Sequence, residues 1–92
     1  MITYESLNHK LSMVIQNDGD LNDLKKEYTL GIKKLHMFID MFLEKFGNKV
    51  IGEKNNSPEW RLFSQKSEEY NNYARAIRNI DYWIAKKTVS KF

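Results

Sequence analysis

Apolar side chains recur along this chain in steps of three and four, the spacing of one helix face, and no segment sustains the alternation of a strand. Leu7, Leu11, Val14 and Ile15 make the first such stripe, and Thr3 stands where an N-cap belongs. They predict a helix over 4–16. Asn17, Asp18, Gly19 and Asp20 follow, with a glycine suited to positive φ and side chains that favour turns and caps. A second stripe runs through Leu21, Leu24, Tyr28, Ile32, Leu35, Ile39, Phe42 and Phe46, and Gly47 with Asn48 predicts its C-cap. About 25 residues at ~1.5 Å each make a rod of ~38 Å. The stretch 49–56 has no helical period and reads as an exposed loop. Ser57, Pro58 and Glu59 then suit N-cap, first helical position and dipole-facing acid. The third stripe passes through Trp60, Phe63, Tyr70, Ala74, Ile77, Ile80 and Ile84 to about Thr88, with Ser67 as its polar interruption.

The predicted architecture is all-α: an antiparallel hairpin of two long helices with a shorter N-terminal helix packed across it. A chain of 92 residues has room for one domain, spanning 1–92, and one core. Its 41% hydrophobic and 29% charged residues describe a globular protein. The N-terminus carries neither a basic region nor an apolar run, and no stretch suffices for a membrane span, so the expected location is cytoplasmic. Without cysteine there is no disulfide and no thiolate chemistry, so so small a core is expected to gain support from long helix packing or from self-association. Twelve aromatic residues exceed what a three-helix core needs, which also points to a homo-oligomer.

A net charge of +3 is too small for a dedicated duplex-DNA binder, and nucleic acid is the least favoured partner. His9 and His36 each have a carboxylate one turn away, Glu5 and Asp40, but the inward Glu-x-x-His pairs of a di-metal bundle are missing. No metal or cofactor is expected. Phosphate loops, nucleophile elbows and His-Glu-x-x-His motifs are absent too, so no enzyme activity is expected. Glu68 and Glu69 are adjacent and read as part of a solvated face. Asn71, Arg75, Arg78 and Tyr82 share one helix face, where guanidinium forks can grip phosphate and a phenol can support a base. An ordinary solvated face or a subunit contact accounts for the same residues. Lys26, Thr29, Lys33 and His36 form a weaker basic stripe on the second helix.

In the C-terminal helix, Tyr73 and Ala74 lead into Ile77, Arg78, Asn79, Ile80, Asp81, Tyr82 and Trp83, and Thr3-Tyr4 stands near the start. These features resemble the small phage anti-CBASS proteins that sequester cyclic oligonucleotide signals. That family has an N-terminal Thr-Tyr pair and a final helix of the form Ala-x-x-x-Leu-Glu-x-Ala-x-x-Trp. Ile77, Ile80 and Trp83 occupy its Leu, Ala and Trp places; Arg78 replaces the acid and Ile80 the second alanine. The resemblance covers mainly the last twenty or so residues. It implies a homo-oligomer, in that family a hexamer, that binds cyclic di- or trinucleotides between protomers without cleaving them, a counter-defence sponge acting in the host cytosol. Tyr4 would stack on a base, and Lys26 or Lys33 would supply the lysine near the phosphates; Arg75 and Arg78 join them from the stripe described above. The alternative is a small helical interaction protein that binds and inhibits a host protein.

Overall fold

The computed structural model describes residues 1–52 and 58–90, with side chains outside 48–52 and 89–90. Three helices follow one another: α1 (Tyr4–Gln16), α2 (Leu21–Gly52) and α3 (Pro58–Ser90). Among the described residues there is no strand. α1 has the predicted limits. The Thr3 hydroxyl accepts a hydrogen bond from the Ser6 amide at 3.1 Å, satisfying an amide that the first turn leaves orphaned.

The turn after α1 has a different origin from the one its glycine suggests. Asp18, with φ 53°, takes the left-handed position, and no described glycine has positive φ. The Gly19 amide donates to the Val14 carbonyl at 2.8 Å and that of Asp18 to Ile15 at 3.2 Å, the paired closure of a Schellman motif. Gly19 is needed for closeness, since a Cβ there would meet Val14 Cγ1 at 3.1 Å. The Asp20 carboxylate then caps α2 by accepting from the Asn22 amide at 2.8 Å.

α2 continues past the expected stop. Gly47 and Asn48 lie inside the helix, and residues 49–52 extend it, because Gly47 keeps helical φ instead of the left-handed conformation a C-cap requires. Residues 53–56, the rest of the predicted loop, and the Ser57 cap lie outside the described residues. α3 begins at Pro58, as its fixed φ and missing amide favour, and runs to Ser90.

α2 and α3 pack antiparallel along their lengths. α1 lies across one end of this pair, antiparallel to α2 and parallel to α3: the buried Tyr28 hydroxyl donates to the Leu7 carbonyl at 2.7 Å, Lys10 pairs with Glu27 at 2.6 Å, and Lys87 reaches Asp18 at 3.2 Å. The core of this end is Leu7, Leu11, Leu21, Leu24, Tyr28, Ala76 and Ile80, with Ile2, Val14, Ile15, Tyr73, Ile77, Trp83 and Ile84 against it. Ala76 is fully buried where a larger side chain would hold α1 away. Glu69, expected among solvated residues, is 5% exposed and lies 3.6 Å from the Lys66 ammonium; its neighbour Glu68 is exposed. Burial pushes the Tyr28 phenol up to about 12, with Glu27 and Tyr73 adding to the effect, and burial likewise raises Tyr73.

Beyond the start of α1 the molecule continues as a two-helix arm, giving overall dimensions of 54 × 20 × 16 Å. The arm is held by an aromatic file in which Phe42 stacks on Phe38 (5.9 Å) and Phe63 (6.4 Å) and meets Phe46 (5.0 Å), while Trp60 lies 5.9 Å from Phe63.

Candidate functional site

The first turn of α1 brings Tyr4 against α3. The Arg75 guanidinium lies over the Tyr4 ring, 4.0 Å from its centroid, a cation–π contact at near van der Waals distance. On the next turn of α3, the Asn79 side-chain amide donates to the Tyr4 hydroxyl and approaches the side-chain Oδ1 of Asn8 at 3.5 Å. On the preceding turn, the Asn72 amide donates to the Ile2 carbonyl at 3.1 Å. Asn72, Arg75 and Asn79 thus clamp the start of the chain to α3: the amides fix the backbone and the phenol, and the guanidinium covers one ring face.

Beside this clamp a cavity of about 390 Å³ opens, lined by Met1, Thr3, Tyr4, Glu5, Glu68, Asn72 and Arg75. Its chemistry combines an aromatic edge, one guanidinium, a hydroxyl, an amide and two carboxylates. Arg75 is exposed, so its remaining N–H donors face solvent and can take an anion. The carboxylates of Glu5 and Glu68 accept hydrogen bonds and do not attract phosphate.

The structure joins two of the five expected ligand residues, Tyr4 and Arg75. Lys26 and Lys33 lie exposed on α2 and Arg78 exposed on α3, and none of the three lines this cavity. The stripe of α3 that meets the start of the chain is Asn72, Arg75 and Asn79, not Asn71, Arg75, Arg78 and Tyr82. Asn71 instead borders a second cavity of about 260 Å³ with His36, Ile39, Asp40, Ser67 and Tyr70. Tyr82 is exposed and meets Trp83 edge to face at 5.7 Å. Asn72 and Asn79 were legible only as two amides seven residues apart on the side of the helix that carries Ala76, a signal that hydrophobic periodicity passes over.

His36 Nε2 lies 3.1 Å from Asp40 Oδ2, both side chains mostly exposed. Among the described residues no three His, Asp or Glu side chains converge as a metal would require. Among the described residues no helix is long and apolar enough to cross a membrane. Compared with known proteins, the chain matches no family model, no curated protein and no solved structure.

Proposed function

We propose that this chain is a non-catalytic binding protein that sequesters cyclic di- or trinucleotide immune signals, a counter-defence sponge of the phage anti-CBASS kind acting as a homo-oligomer in the host cytosol. The observation that carries the reading is the Arg75 guanidinium poised over the Tyr4 ring at the mouth of a cavity. Tyr4 lines the cavity and offers its ring to a base there, and the outward N–H donors of Arg75 suit the adjoining phosphate. Glu5 and Glu68 supply acceptors for the N–H groups of a purine edge or for ribose hydroxyls. Binding by stacking and charge needs neither a general base nor a metal, and the ring is preorganised by Asn79 before any ligand arrives. A cavity of about 390 Å³ is at the small end of ligand sites, roughly 300–1,000 Å³, so one nucleotide unit enters and the remainder of a cyclic ligand stays outside it.

The test is isothermal calorimetry against a panel of cyclic di- and trinucleotides, followed by extraction of the ligand. The expected result is tight binding with the ligand returned intact, lost in Tyr4→Ala and Arg75→Ala at unchanged oligomer mass. Loss on Lys26→Ala or Lys33→Ala, with Tyr4→Ala still binding, moves the site to α2. Absence of heat for every member removes the nucleotide reading and favours the inhibitor of a host protein.

A further inference from the structure

The chain carries more surface than its mass calls for. Its accessible area is 6706 Å², against about 5,600 Å² for a compact monomer of 11.0 kDa. The surplus, about 1,100 Å², is comparable with the ~800 Å² that each partner contributes to a standard protein interface. The two-helix arm accounts for the shape behind it, and on one side it groups exposed apolar side chains, Met37 at 64%, Phe38 at 38%, Met41 at 68% and Leu62 at 38%, with Leu43 exposed on another side of α2.

These residues lie on the side that α1 covers nearer the termini. Met41 is two heptads beyond Glu27, which pairs with Lys10 of α1. Leu62 is two heptads before Ala76, which packs under α1. Lys66, one turn from Leu62, sits over the Phe38 ring at 5.7 Å, so the α2 and α3 parts of the patch adjoin. The arm therefore lacks on this side the layer that completes the core at the other end.

We propose that this face is the interface between two copies of the chain, crossing antiparallel about a twofold axis near Phe38, so that two arms close into one four-helix bundle. The order of charges on α2 selects a second copy of this chain. Lys34 lies one heptad before Met41 and Glu44 one heptad after Met37, so the two flank the apolar centre on its own face. Inverted by a twofold axis, Lys34 of one helix meets Glu44 of the other, whereas parallel pairing sets like charge against like. Lys45, next to Glu44, is turned onto the Phe46 ring at 5.4 Å. An apolar centre with a polar rim complementary to its own inverse is the signature of an isologous contact. This interface stands on the arm alone and holds whether or not the chain binds nucleotides.

The test is molar mass by light scattering across a concentration series, with helicity checked by circular dichroism. The expected wild-type mass is twice 11.0 kDa or a higher even multiple. Met41→Glu, at an exposed helical position that tolerates it in the monomer, should weaken association by about tenfold or more while keeping the helical signal, as burying an unpaired charge does. Lys34→Glu should weaken it and added Glu44→Lys should restore it. The chain has no cysteine, so Met37→Cys should give a disulfide-linked dimer on mild oxidation and Ser12→Cys on α1 should not. A wild-type monomer at every concentration overturns the proposal, and so does an oligomer indifferent to Met41→Glu in which Met37→Cys fails to cross-link.

Discussion

The Tyr73 ring occupies the space beside Gly31. A Cβ at position 31 would stand 2.7 Å from the ring's Cζ and 2.9 Å from Cε1, closer than carbon atoms approach. The ring is held there edge-on to Tyr28, with centroids 5.6 Å apart, so it has little freedom to withdraw.

Gly31→Ala should therefore destabilise the protein by about 1–3 kcal/mol, the usual cost of overpacking, although alanine is the better helix former by ~1 kcal/mol. Urea denaturation of Gly31→Ala, Tyr73→Ala and the double variant measures it. The double variant should be more stable than the two single losses predict, because removing the ring removes the clash.

Gly47 should respond with the opposite sign. It sits within α2 at helical φ, and a Cβ there would meet nothing within 4 Å. Gly47→Ala should raise stability by roughly 0.5–1 kcal/mol, through helix propensity and a less flexible unfolded chain. A drop in the denaturation midpoint would place the end of α2 before Gly47.

Tyr28 links α1 to α2 through its buried hydroxyl, and Tyr28→Phe leaves the Leu7 carbonyl without that donor, at a cost of about 1–3 kcal/mol. The same group sets a pH dependence. Its pKa in the folded protein is about 12, above the ordinary 10.0, so between these values the unfolded chain releases the proton and the folded chain keeps it. Its contribution to stability is intact below the lower value and is lost as pH rises towards the upper one. Thermal unfolding of the wild type should fall more steeply over that range than that of Tyr28→Phe, and tyrosinate absorbance of the native protein should show late titration at Tyr28 and Tyr73, the Tyr28 part lost in Tyr28→Phe.

Local signals made much of the fold legible. Thr3, Leu7 and Leu11 fix α1 within its limits, and Pro58 marks the start of α3. Gly47-Asn48 misled because a glycine of this kind ends a helix by turning left-handed, and Gly47 keeps a helical φ one residue after Phe46, which packs on Phe42 within α2. On α3 the most deeply buried positions are Ala76 and Ile80, with Glu69 and Asn72 continuing the same side, and of these four the hydrophobic stripe holds Ile80 alone. Small and polar side chains line the seam with α1, and a reading that weights apolar size overlooks them. The site was half legible: Tyr4 and Arg75 were each nameable from their own helix, but their meeting, and the part of Asn79, depend on how α1 lies along α3.

That arrangement has a kinetic meaning. Tyr4 and Asn79 are 75 residues apart in sequence, whereas Tyr28 reaches Leu7 across only 21. Loop-closure entropy lets α1 and α2 zip together early, while the clasp between the first turn and α3 has to wait for nearly the whole chain to be in place. On this ground the cavity at Tyr4 is expected to form late in folding and to open early in unfolding. A molecule seated in the cavity against both Tyr4 and Arg75 would fasten two distant parts of the chain together, and its occupancy would act as a brake on the opening of the entire bundle.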